Sequence, residues 1–285
     1  MVYFNIDSFD NSKMTDLDFN RLSTFIYTNY GIKLPPSKKI MLEGRLLKRL
    51  RTLNIPSYKK YCEFIFSNEG QRSELIHMID VVTTNKTDFF RESVHFDYLS
   101  NNILPGVFRD YSAAKPFKVW SAGCSTGEEP YTLAMVLSLF AETHMGFSFN
   151  VWGTDISSRV LQAAALAVYT EDKVAPVPIA LKRQFLLKSK DVHNKTVRIV
   201  PQLREKVKFG RLNFIDEDFG PIANFNVIFC RNVLIYFDRP TQEKVILKLC
   251  SKLEPGGYLF LGHSESVSNM NLPLTQIRPN IFKRK

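Results

Sequence analysis

Apolar residues recur at helical spacing through the first eighty positions. Phe19, Leu22, Phe25 and Ile26 follow Asp16, an acid suited to cap a helix start, and Pro35-Pro36 separates this segment from the next. There Leu42, Leu46, Leu50 and Leu53 recur at steps of four, four and three, one apolar stripe, while Lys38, Arg45 and Arg49 fall on an adjacent face. Segments 57–67 and 71–82 predict two more short helices, with Tyr61, Phe64, Ile65, Leu75, Ile76 and Ile79 as apolar positions. No strand pattern appears in this stretch.

After about residue 115 the pattern changes. Short β-branched or aromatic runs alternate with helical stretches, the signature of a parallel sheet covered by helices. Predicted strands are Phe117–Ser121, Phe149–Thr154, Val207–Arg211, Val227–Cys230 and Tyr258–Gly262, with helices near 130–143, 157–168 and 240–253. Pro130 suits a first helical turn, and Gly256-Gly257 is expected to end the last helix and start the fifth strand. Ile277–Lys283 is expected to return as one edge strand. Between Tyr169 and Glu205 lies more chain than one connection needs, with a helical piece after Pro178 and a β-like Val197–Val200, so a small inserted subdomain is expected at about 170–205. The reading is an α/β fold, a doubly wound, mostly parallel sheet over 83–285, preceded by an all-α domain over 1–82.

Composition adds bounds. Hydrophobic residues are 45% and charged residues 23% of 285, enough to bury a core. No apolar run reaches the roughly 18 residues that span a bilayer, and a start bearing Asp7 and Asp10 lacks a signal-peptide pattern, so a cytoplasmic location is expected. Cys62, Cys124, Cys230 and Cys250 are scattered, with no histidine at ligand spacing, which predicts reduced thiols and no metal. The net charge of +10 concentrates between Lys33 and Arg51, where seven basic residues face one acid, Glu43. Such a face suits an acidic partner, and equally reads as a solvated charged surface.

The chemistry centres on K-V-W-S-A-G-C-S-T-G-E-E-P, Lys118 to Pro130: a strand, a loop of small residues, and a helix start. In an open α/β sheet the ligand crevice lies outside the strand carboxyl ends, which places a nucleoside cofactor at Ala122 to Gly127, where Gly123 and Gly127 permit close backbone approach. Asp155, ending V-W-G-T-D, stands at the distance suited to both ribose hydroxyls. Glu128 and Glu129 would repel a pyrophosphate and attract a sulfonium and an ammonium, which favours S-adenosylmethionine. A plain tight turn, with acids complementing the helix dipole, remains the alternative.

Four blocks together resemble the CheR methyltransferases: T-T-N-K-T-D-F-F-R at Thr83 to Arg91, S-T-G-E-E-P-Y at Ser125 to Tyr131, F-C-R-N-V-L-I-Y-F at Phe229 to Phe237, and G-H-S-E at Gly262 to Glu265. The resemblance implies a sheet of the Rossmann-like class I methyltransferase type and an enzyme that esterifies glutamate side chains of chemoreceptors with the methyl of S-adenosylmethionine. It implies cofactor contacts from Asn85, Thr87, Arg91, Glu129, Asp155, Asn213, Phe214, Arg231 and Asn232, with Gly123 in the loop. It suggests Arg91 as a residue that positions the substrate carboxylate and permits that role for Tyr236. Read without the family, Asn85 and Thr87 have helix capping as their alternative, Arg231 a solvated surface charge, and Tyr236 is equally a core aromatic. Lys38, Arg45 and Arg49 are then expected to dock an acidic helical region of the receptor, with a monomeric enzyme recruited to membrane-bound receptors.

The loop from Lys188 to Thr196 has no glycine, whereas family members that dock on a receptor's C-terminal pentapeptide share a Gly-x-Gly there; this speaks against pentapeptide tethering. A nucleic-acid methyltransferase ranks lower because no interleaved aromatic and basic patch is present to stack bases. A non-catalytic sensor of S-adenosylmethionine would bind cofactor without turnover. An NAD-linked oxidoreductase is disfavoured by the missing G-x-G-x-x-G.

Overall fold

The computed structural model describes residues 13–109, 115–191 and 193–285; the acidic start carrying Asp7 and Asp10 lies outside them. Two compact units are formed, one from Met1–Thr84 with Tyr236–Asp238, the other from Asn85–Ile235 with Arg239–Lys285.

In the first unit, α1 (Asp16–Tyr30) is capped by Thr15, whose Oγ1 accepts the Asp18 N–H at 3.1 Å; Asp16 sits in the first turn instead of at the cap. Thr15 takes the cap because it holds the extended conformation there and its hydroxyl also donates to the Asp18 carboxylate at 2.6 Å. Gly31, at φ 70°, ends the helix. Leu42, Leu46 and Leu50 are buried along α2 (Lys39–Thr52). Helices α3 (Tyr58–Ile65), α4 (Asn68–Ser73) and α5 (Leu75–Val82) follow. The helix expected over 71–82 is therefore divided at Glu74. There the side chain turns inward to accept Arg49 Nε at 2.8 Å, Arg49 Nη2 at 2.5 Å and the Tyr61 hydroxyl at 2.9 Å. Among the bonds that join Tyr236–Asp238 to this unit, the Lys33 N–H donates to the Tyr236 carbonyl at 2.9 Å and the Tyr27 hydroxyl to the Asp238 carboxylate at 2.5 Å.

The second unit opens with α6 (Val94–Tyr98), a π turn at Leu99–Ile103 and α7 (Leu104–Arg109), a helical stretch that the sequence pattern left unread. It continues with β1 (Phe117–Ala122), α8 (Glu128–Thr143), β2 (Phe149–Asp155) and α9 (Ser158–Leu166). A three-stranded antiparallel sheet in the order β3-β5-β4 is then made by β3 (Val168–Thr170), β4 (Leu186–Lys188) and β5 (Thr196–Ile199), with α10 (Ile179–Phe185) between β3 and β4. After α11 (Pro201–Arg204) come β6 (Val207–Arg211), β7 (Phe225–Cys230), α12 (Arg239–Lys252), β8 (Leu253–Leu261), β9 (Leu274–Arg278) and β10 (Ile281–Arg284).

The main sheet has the order β6-β2-β1-β7-β8-β10-β9, parallel from β6 to β8 and antiparallel beyond. This is a doubly wound α/β fold of the class I methyltransferase type. Phe117, Val119, Phe149, Val151, Val227, Phe229 and Phe260 fill its core, with the Phe229 and Phe260 rings stacked at 4.3 Å. Two expectations are corrected. Strand β8 already pairs at Leu253 and carries Gly256-Gly257 inside it, across a register shift where a Cβ on Gly257 would meet backbone oxygens at 2.9 and 3.0 Å. The single edge strand over 277–283 is instead the turn and second arm of a hairpin. Asn280 at φ 62° reverses the chain, so β10 lies inside the sheet and β9 at its edge. No helix among the described residues is long and apolar enough to cross a membrane.

Candidate functional site

Strand order reverses between β1 and β7, since the chain leaves β1 for β2 on one side and reaches β7 on the other. Crossovers on opposite faces open a crevice at the carboxyl ends of such strands. The loop from Gly123 to Gly127 lies at that end of β1. Gly123 has φ 88°, and a Cβ there would come within 2.3 Å of a Val233 methyl; Gly127 has φ 95°, and its Cβ would press on Ala164 and Tyr169. Only glycine satisfies both demands at once. The N–H groups of Gly123 and Cys124 both donate to the Thr154 carbonyl, at 2.7 and 2.8 Å, locking the loop to the end of β2.

Asp155 reinforces that lock. One carboxylate oxygen accepts the Ser125 N–H at 2.8 Å and the other the Ser157 N–H at 3.0 Å. Asn213 follows β6, tied to the same corner by the Leu212 N–H, which donates to the Asp155 carbonyl at 3.0 Å. Phe214 is buried edge-on against Phe219, and its carbonyl accepts Lys248 Nζ at 2.6 Å.

The two glutamates at the start of α8 part company. Glu128 is fully buried, accepting the Thr126 hydroxyl at 2.6 Å with Lys173 at 3.8 Å, and burial pushes its carboxyl upward. Glu129 turns toward the strand ends, accepting the Ser121 hydroxyl at 2.7 Å and Arg231 Nη1 at 3.0 Å. Arg231 is a buried cation, its side chain only 2% exposed. It also pairs with Glu92 at 3.1 Å, donates to the Arg91 carbonyl, and lies over the rings of Phe96 and Phe229. Burial would raise the Glu92 carboxyl, but Arg231, aided by His263 and His95, holds it below its ordinary value.

The segment carrying Asn85, Thr87 and Arg91 is coil fastened by its backbone. The Asn85 carbonyl accepts the Ser125 hydroxyl at 3.0 Å, the Thr87 carbonyl accepts Lys173 Nζ at 2.8 Å, and the Phe90 N–H donates to Thr132 at 3.2 Å. The Arg91 guanidinium donates to the Lys86 carbonyl at 3.0 Å. Asn232, at φ 59°, opens the loop after β7. That loop is held by Glu265, whose buried carboxylate accepts four N–H groups: Asn232 at 3.0 Å, Val233 at 2.8 Å, Leu234 at 2.7 Å and Gly262 at 2.6 Å.

Asn85, Thr87, Arg91, Gly123, Glu129, Asp155, Asn213, Phe214, Arg231 and Asn232 all belong to the second unit, whereas Tyr236 groups with the first. On α2, Lys38 precedes the first turn and is exposed; Arg45 donates to the Val82 carbonyl and to Thr84 at 2.9 Å; Arg49 is held by Glu74. Sequence reasoning assigned no role to Ser121, Glu92, His95, His263 or Glu265. The spacing of three residues from Glu92 to His95 and the G-H-S-E block that holds His263 and Glu265 were the signals available.

Residues 85–281 match the family described as "CheR methyltransferase, SAM binding domain", and 17–83 match "CheR methyltransferase, all-alpha domain". The chain is 38% identical over 277 residues to a chemotaxis protein methyltransferase of Borreliella burgdorferi, covering 96% of each chain. It is 34% identical over 262 residues to that of Escherichia coli, covering 92% of this chain and 88% of the relative. A solved glycopeptide N-methyltransferase, MtfA, complexed with sinefungin, aligns over 70% of this chain and 59% of its own at 14% identity, with a TM-score of 0.35, so the assignment rests on the sequence relatives. With both of its regions matched and near-full-length relatives above 30% identity, the chain belongs to the CheR family of S-adenosylmethionine-dependent methyltransferases.

Proposed function

We propose that the protein transfers a methyl group from S-adenosylmethionine to glutamate carboxylates of chemoreceptors, giving methyl esters that adapt their signalling. The observation that carries this reading is a pair of carboxylates, Glu129 and Asp155, near the carboxyl ends of β1 and β2, within the region matching the family's SAM binding domain. Two carboxylates, one beside β1 and one ending β2, are the charge type that suits an ammonium and ribose hydroxyls, so the residues fit a cationic nucleoside. The names of the relatives, chemotaxis protein methyltransferases, support a receptor substrate.

Bound S-adenosylmethionine supplies an electrophilic methyl on a sulfonium. Asn85, Thr87, Asn213, Phe214 and Asn232, with the Gly123 loop, are proposed to line the cofactor. A glutamate carboxylate with a reference pKa of about 4.3 is already ionised at neutral pH, so no residue has to act as general base. The protein's task is to hold that carboxylate in line and to exclude water while opposite charges cancel. Arg91 and Tyr236 are proposed to orient it. The α2 face bearing Lys38 and Arg45 is proposed to steer an acidic helical partner, with Arg49 contributing charge while its fork stays on Glu74.

The test is methyl transfer from radiolabelled S-adenosylmethionine to chemoreceptor-containing membranes, followed by mild alkali. Volatile methanol is the expected product, because only carboxyl esters release it. Alkali-stable label would overturn glutamate as the acceptor.

A further inference from the structure

Glu92, His95 and His263 bring three ligand atoms within 4.8 Å of one another, although His263 lies far along the chain from the other two. The His95 Nδ1 is 3.5 Å from Glu92 Oε2, and the His263 Nε2 is 3.8 Å from the same oxygen. Tetrahedral coordination with bonds of about 2.1 Å sets ligand atoms about 3.4 Å apart, so two edges of the triangle are already close to that spacing. The third can close because the His263 side chain is 58% exposed, its ring edge-on to that of His95.

His95 adds an independent sign. Its ring is 2% exposed, packed edge-on against Phe260, yet Nδ1 has no hydrogen-bond partner although it faces Glu92 and His263. A buried polar nitrogen left unsatisfied is costly, and a metal ion would satisfy it. Arg231 already sits 3.1 Å from Glu92 Oε2, but Glu129 shares that guanidinium, so two carboxylates to one cation leave a net negative charge. Arg231 Nε at 3.4 Å and Nη2 at 3.1 Å both point at Oε2, so an ion would compete with the guanidinium for that oxygen.

We propose that Glu92, His95 and His263 form a site for one divalent transition-metal ion of the kind that takes mixed nitrogen and oxygen ligands, Zn²⁺ being the type. Two imidazoles and one carboxylate leave further positions open to water or an incoming carboxylate. Because the ion shares Glu92 with Arg231, occupancy would loosen Arg231 from Glu92 while leaving its bond to Glu129.

The test uses Co²⁺ as a visible probe on the full-length chain. The expected result is a d–d absorption band that saturates at one equivalent and is displaced by Zn²⁺. His263→Ala, at an exposed position, should weaken Co²⁺ by about tenfold or more, since even the loss of a residue that only orients a ligand costs that much. His193→Ala, a surface histidine in the β4–β5 loop, should leave binding unchanged. Absence of a saturable band, or equal binding by wild type and His263→Ala, overturns the site.

Discussion

Arg231 Nη1 lies 3.0 Å from Glu129 in a pocket where the arginine side chain is almost wholly sealed from water. Removing it would strand Glu129 and Glu92 without their cation, and breaking a buried pair from one side costs about 3–5 kcal/mol. Arg231→Met is therefore expected to lower the urea midpoint sharply. Arg231→Lys keeps the charge but loses the fork that spans Glu92, Glu129 and the Arg91 carbonyl, so it should fold while binding S-adenosylmethionine more weakly by calorimetry.

Glu265 holds four N–H groups, and a glutamine there would turn an NH₂ toward two of them. Glu265→Gln is expected to raise the KM for S-adenosylmethionine more than it lowers kcat, because the Asn232 loop shifts while Arg91 does not. Equal effects on both parameters would mean that the loop does not report on the cofactor.

Arg49→Ala leaves Glu74 buried without its partner and should destabilise the helical unit by about 3–5 kcal/mol in chemical unfolding. Arg49→Met combined with Glu74→Leu should recover most of that loss, since an apolar pair removes the unpaired charge. Failure of the double variant to recover would assign the cost to packing alone.

Acid should weaken the second unit through His95. His95 is held neutral down to about pH 4, whereas an unfolded histidine takes up its proton near 6.5. In that window the unfolded state binds more protons, so stability falls as pH falls, by about 1.4 kcal/mol per pH unit. Glu92, held low by Arg231, adds a further loss as pH drops through its depressed value. His95→Asn should flatten the slope between pH 6.5 and 4 in urea titrations.

Arg91→Lys keeps a cation but not a planar fork, and is expected to cut turnover at least tenfold with cofactor affinity retained. Normal turnover in this variant would remove Arg91 from the positioning role.

The parallel strands were legible because each is a short β-branched or aromatic run flanked by turn residues, and the bends at Gly123 and Gly127 were legible because few residues other than glycine adopt such angles. Boundaries failed where two residues competed for one task. Thr15 and Asp16 are both good caps, and only the backbone conformation chose between them. The Pro279-Asn280 turn was present as a dipeptide, yet the apolar residues around it read as one continuous strand. Arg231 was ambiguous for a different reason: its partners Glu92 and Glu129 lie 139 and 102 residues away, and no local pattern encodes such distances. Glu265 is the same case, since its four donors come from Gly262 nearby and from a loop more than thirty residues upstream.

The bond from the Lys33 N–H to the Tyr236 carbonyl bears on the order of events at the ribosome. The helices over residues 16–82 emerge early and rely on near neighbours, so they can condense as soon as they leave the exit tunnel. Their unit nevertheless waits for Tyr236–Asp238, which at translation speeds of about 5–20 residues per second arrive roughly 8–30 s later. Until then the helical unit is provisional, and its final set of bonds closes only after most of the methyltransferase sheet has been synthesised.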